Sequence, residues 1–126
     1  MDRGCWMDRV NPLEEKMVER ISARQFHAAE GVDEWRALFG GVKAQYATGS
    51  FSAGIRLVDA IGRLADAANH HPDIDLRYSG VTVRLFTHEI GDISERDLAL
   101  ARQISEAALE LGFDADPSAV QTTQIT

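Results

Sequence analysis

The sequence predicts an α+β domain: a four-stranded antiparallel sheet with helices packed on one face, in the order α-β-β-α-β-β-α, preceded by an extra N-terminal helix. Three observations lead there. Two segments, Trp35 to Tyr46 and Asp73 to Phe86, alternate apolar and other residues on either side of a glycine-containing turn. Two longer segments, Ser50 to Ala68 and Ser94 to Leu111, repeat apolar residues at helical spacing. The chain has 126 residues, a length that suits one compact domain with a real core.

The elements follow in chain order. Residues 1–10 read as a poorly ordered lead-in. Asn11-Pro12-Leu13-Glu14 is a helix start, with Asn as cap and Pro at the first helical position. Leu13, Met17 and Ile21 then form one apolar stripe. Ser22-Ala23-Arg24-Gln25 is a second capping-box pattern, with Gly31 as its stop. The first hairpin is expected to turn at Gly40-Gly41, pairing Phe39 with Val42, Ala37 with Ala44 and Trp35 with Tyr46. The helix from Ser50 carries Phe51, Ile55, Val58, Ile61 and Ala65 on one stripe, and Asn69 and Pro72 close it. The second hairpin is expected to turn at Ser79-Gly80. Its apolar face then pairs Tyr78 with Val81, Leu76 with Val83 and Ile74 with Leu85, and its other face pairs Asp75 with Arg84. Tyr78 is accordingly read as core, and the Trp35–Tyr46 pair as sheet packing. The last helix begins at Ser94, buries Leu98, Ala101, Ile104, Ala108 and Leu111, and stops at Gly112. This divides the chain into an N-terminal extension (1–21), a domain (22–113) and a polar tail or linker (114–126).

Composition narrows the function. Thirteen basic against 20 acidic residues give a net charge of −7, which argues against a broad nucleic-acid-binding face. The single Cys5 permits no intramolecular disulfide, which suits a reducing compartment. No apolar run approaches the ~20 residues that span a bilayer, and the first residues lack the apolar stretch of a signal peptide. A cytoplasmic protein with no membrane partner is the expectation.

Three of the four histidines gather at one end of the second hairpin. In the expected register His71 lies across from His88, with His70 one position along. Imidazole gives and takes protons near neutrality, its unperturbed pKa being ~6.5. Two such groups flanking a small substrate can remove one proton and deliver another, which a dehydration requires. Three histidines also suggest zinc, but the only cysteine is remote and no metal site is expected. Asp97 has two readings that stay open: a capping-box acid at the start of the last helix, or electrostatic support for the histidines. His27 lies outside the group and reads as a surface residue.

The ordered set Asp66, His70-His71-Pro72, Tyr78, Thr87-His88 and Ser94-Glu95-Arg96-Asp97 resembles the pattern of pterin-4a-carbinolamine dehydratases, over roughly Ser22 to Leu111. That resemblance implies loss of water from 4a-hydroxytetrahydropterin to give a quinonoid dihydropterin, in pterin recycling. It implies no metal or organic cofactor, the pterin being the substrate. By position, His70 and His88 would be the main acid/base groups, His71 would bind or orient the pterin, and Asp97 would support a histidine, with Pro72 beside them. The resemblance further implies a homodimer or homotetramer. An animal member doubles as a dimerisation cofactor for a homeodomain transcription factor, so the alternative is a non-catalytic dimerisation cofactor or assembly protein on the same scaffold. Gly91-Asp92-Ile93 departs from the Gly-Gly-Leu of many members, and the added Asp92 is expected to alter the electrostatics of the site. The segment Ala119 to Ile125 resembles the start of a strand leading into a second domain.

Overall fold

The structure, a computed structural model, describes residues 20–38 and 40–117. The expected first helix, with Leu13 and Met17 on its stripe, lies outside the described residues, as do Phe39 and the segment from Ala119. The elements run α1 (Ala23–Ala28), β1 (Arg36–Leu38), β2 (Gly41–Ala47), α2 (Phe51–Ala68), β3 (Asp73–Leu76), β4 (Gly80–Leu85), α3 (Glu95–Leu111) and β5 (Asp114–Ala115). The sheet order is β1-β2-β4-β3, all antiparallel, with β5 pairing β2 beyond the end of β1. The α+β architecture is therefore as expected, with one addition. Asp114 and Ala115, assigned to the tail from sequence, form a fifth short strand.

The core lies between the sheet and the two long helices. Val42, Ala44 and Tyr46 of β2 stand opposite Leu85, Val83 and Val81 of β4, all fully buried on one face. Leu57, Ile61, Leu100 and Ile104 cover them from α2 and α3. The opposite face carries Lys43, Gln45, Thr82 and Arg84, which stay half-buried. No helix among the described residues is long and apolar enough to cross a membrane.

Both hairpins keep their expected faces but shift register by two residues. Ala37 pairs with Val42 rather than Ala44, and Leu76 pairs with Val81 rather than Val83. A shift of two preserves which side chains share a face. The cause lies in the glycines. Gly41 and Gly80 are not turn residues but the first residues of their strands. A Cβ on Gly80 would sit 2.7 Å from the Tyr46 carbonyl oxygen, and one on Gly41 would sit 2.9 Å from that of Leu85. Both glycines are needed for close backbone approach across β2 and β4. The second hairpin therefore turns at Tyr78-Ser79, closed by reciprocal bonds between Arg77 and Gly80. Tyr78 consequently sits at the tip, 73% exposed, and is not a core residue. The expected Asp75–Arg84 pair is replaced by Asp73 with Arg84 at 3.6 Å and Asp75 with Arg77 at 2.9 Å.

On α2 the buried stripe is Ala53, Gly54, Leu57, Ile61 and Ala65, while Phe51 and Ile55 are exposed. The small residues decide this. A Cβ on Gly54 would meet a Leu76 methyl at 2.7 Å, so the helix presents its slimmest side to the sheet. On α3, Leu100 is buried at the sheet while Leu111 is 39% exposed.

Candidate active site

Three chain segments converge on one buried carboxylate. The first is the end of α2. Asn69 adopts a left-handed conformation (φ 52°) and its N–H closes the last turn, while the His70 N–H reaches back to the Ala65 carbonyl at 3.1 Å. This turn sends the chain into β3 with His70 buried and His71 exposed. Pro72 then separates the pair from β3 and, lacking an N–H, cannot extend the ladder.

The second segment is the start of α3. Ser94 is the N-cap and Asp97 completes a capping box, its Oδ2 accepting from the Ser94 N–H at 2.9 Å. Asp97 is nevertheless fully buried. Its Oδ2 also accepts from the Thr87 hydroxyl at 2.8 Å, and its Oδ1 lies 2.6 Å from Nε2 of His70. The Thr87 proton is committed to Asp97, so the Ser94 hydroxyl, 2.6 Å away, donates to Thr87. With two donors on Oδ2, the carboxylate acts as acceptor, and Nε2 of His70 carries the proton that points to Oδ1. The neutral ring therefore has Nδ1 as its proton acceptor. Asp97 thus both caps α3 and hydrogen-bonds His70.

The third segment is the turn from Thr87 to Asp92. The Thr87 N–H donates to the Asp92 carbonyl, the Ile90 and Gly91 N–H groups donate to that of Thr87, and Gly91 takes a positive φ of 62°. His88 and Glu89 stand exposed on this turn, with the His88 ring 4.3 Å from that of Phe86. The Glu89 carboxyl is held below the usual carboxylate range, chiefly by its own backbone N–H and by Arg96.

His70, Thr87 and Asp97 are thus directly joined. His71 is not part of that unit: its Nε2 pairs with Oδ1 of Asp66 at 3.0 Å, both groups being exposed. Strand pairing does not align His71 with His88, because continuing the observed register would set Phe86 opposite His71. Asp92 pairs with Arg20 at 3.2 Å. Thr87 and Asp66 stood in the sequence pattern without a role. The spacing of Asp66 one helical turn before the histidines was the available signal. His27 is exposed, as expected, and its Nε2 accepts the Ala37 N–H at 3.1 Å.

The site does not coincide with one sizeable cavity on the surface of the described residues. That cavity, about 570 Å³, is lined by Glu30, Asp33, Glu34, Arg102, Ser105 and Glu106 and contains none of the three histidines. The histidines are the candidate site because a buried carboxylate, bonded at both oxygens, meets an imidazole there. No cluster of three or more His, Cys, Asp or Glu side chains suited to a metal ion occurs among the described residues.

Residues 12–107 match the family model described as pterin 4 alpha carbinolamine dehydratase. The chain belongs to this family. A relative from Aquifex aeolicus, provisionally named a pterin-4-alpha-carbinolamine dehydratase, is 34% identical over 96 residues, covering 75% of this chain and 97% of the relative. One of the same provisional name from Nocardia farcinica is 52% identical over 59 residues, covering 47% of this chain and 62% of the relative. The crystal structure of a transcriptional coactivator/pterin dehydratase from Brucella melitensis shares the dehydratase fold. It superposes with a TM-score of 0.66 at 22% identity, covering 71% of this chain and 99% of that one.

Proposed function

We propose that the protein dehydrates 4a-hydroxytetrahydropterin to quinonoid dihydropterin in pterin recycling, with His70 and His88 as the acid/base pair. The observation that carries this reading is the His70–Asp97 hydrogen bond, made to a buried carboxylate that Thr87 and Ser94 hold in place. A positioned carboxylate fixes the tautomer and ring direction of its histidine and favours the imidazolium once formed. One histidine takes the proton from N5 of the substrate and the other protonates the 4a-hydroxyl. The C4a–O bond breaks, water leaves, and the C4a=N5 double bond forms, with no change in electron count. The scheme uses no metal or organic cofactor. His71, held by Asp66 at the exposed rim, orients the pterin, and Pro72 fixes the approach of that segment.

Homo-oligomerisation belongs to the same reading. The two large apolar side chains on the outer face of α2, Phe51 and Ile55, are each 47% exposed, and a second copy of the chain would cover them.

Purified protein mixed with 4a-hydroxytetrahydropterin, followed by ultraviolet absorbance, should speed dehydration well beyond the spontaneous rate. His88→Ala should remove ~10²-fold or more of that acceleration, the contribution of one positioned acid/base group. Wild-type protein that leaves the spontaneous rate unchanged would sink the reading.

A further inference from the structure

The Thr87–Asp92 turn, which carries His88, is closed by its own backbone bonds, and its far side is held in addition by a residue from a distant part of the chain. Arg20 forms a single antiparallel bridge with Ser94, and the next N–H, that of Ile21, donates to the Ile93 carbonyl at 3.1 Å. From there its guanidinium reaches two groups of the turn. Nη2 donates to the Ile90 carbonyl at 3.0 Å, and Nε lies 3.2 Å from Oδ2 of Asp92. The other Asp92 oxygen accepts from the Ile93 N–H at 2.8 Å, so the carboxylate is fixed on both sides. A planar guanidinium suits this two-pronged hold in a way an ammonium does not.

The geometry points to Arg20 as a positioning residue that clamps the His88 turn through the Ile90 carbonyl and the Asp92 carboxylate. This inference rests on the dehydratase reading for its kinetic half only. Asp92, expected from sequence to alter the electrostatics of the site, is also the acceptor of this clamp. A half-exposed ion pair alone contributes little. The bond to Ile90 acts on the turn itself and the strand-like bridge at Ser94 acts just past its end, and together they restrict it.

The test combines hydrogen exchange with kinetics on Arg20→Ala, Arg20→Lys and Asp92→Asn. In Arg20→Ala the Ile90 and Gly91 amides, which close the turn, should exchange roughly fivefold faster, and kcat should fall by a similar factor with little change in KM. Arg20→Lys should recover part of both effects, since it can serve one acceptor at a time. Asp92→Asn, which keeps the Ile90 bond, should show about a twofold effect that fades at high salt. Exchange of those two amides unchanged in Arg20→Ala overturns the clamp whether or not the protein is active. Faster exchange with unaltered kcat overturns its role in positioning His88. Wild-type protein without dehydratase activity overturns the catalytic reading and the kinetic half with it, and exchange alone then decides the clamp.

Discussion

Asp97 divides its two oxygens between two tasks, one holding His70 and the other receiving Ser94 and Thr87. Asp97→Asn keeps the shape but puts an amide donor where an acceptor is needed. Dehydration should slow by roughly tenfold or more, part of the contribution of a positioned acid/base group. The urea midpoint should drop as well, by an equivalent of about 1–3 kcal/mol, because buried partners lose their acceptor. A stopped-flow assay and an equilibrium melt on the same preparation check both. Much of this site could be read from residue order. Ser94 and Asp97 announce a capping box, and the same pair lies within reach of the histidines. The contact between Asp97 and His70 could not be read, because it depends on how the left-handed Asn69 aims His70 into the interior.

At the level of elements, the two glycines that open β2 and β4 explain what pattern alone gets wrong. Apolar alternation sets which face of each hairpin is buried, and this emerged correctly. It cannot tell a glycine that bends the chain from one that lets two backbones pass closely, and Gly41 and Gly80 are of the second kind. The same blindness to small residues favoured Phe51 and Ile55 over Ala53 and Gly54 as the buried stripe of α2. Opposite signs follow for two glycine-to-alanine changes. Gly80→Ala forces a methyl against the Tyr46 carbonyl and should cost about 1–3 kcal/mol. Gly62→Ala, inside α2 with no heavy atom within 4 Å of the new methyl, should stabilise by about 0.5–1 kcal/mol. Thermal melts of the two variants beside the parent would separate them. A Gly80→Ala protein as stable as the parent would contradict the close approach.

Across the whole molecule, a second polar group ties sheet to helix away from the histidines. The Tyr46 hydroxyl donates to Oε2 of Glu34 at 2.6 Å, and Trp35 Nε1 donates to Oγ of Ser105 on α3 at 2.9 Å. Burial, followed by the hydrogen bond to Glu34, pushes the Tyr46 hydroxyl far above the ordinary tyrosine range. The folded state thus resists ionisation of a group that ionises freely when unfolded. Its contribution to stability is complete below pH ~10 and declines above it, at up to about 1.4 kcal/mol per pH unit. Urea midpoints between pH 8 and 11 should fall for the wild type more steeply than for Tyr46→Phe. Parallel slopes would show that Tyr46 is not the group responsible. The sequence reading placed Tyr46 beside Trp35 as sheet packing, and the polar half of that contact needed three dimensions to appear.

The shared use of Asp97 has one further consequence. The residue that completes the capping box of α3 is also the one that aims the proposed proton acceptor, so turnover becomes a sensor of local order in the first turn of that helix. Denaturant too dilute to unfold the domain, yet sufficient to fray this turn, should silence the reaction while the sheet and the rest of α3 persist. Activity would then disappear ahead of the circular-dichroism transition, and coincident curves would show that cap and catalyst fail only with the whole fold.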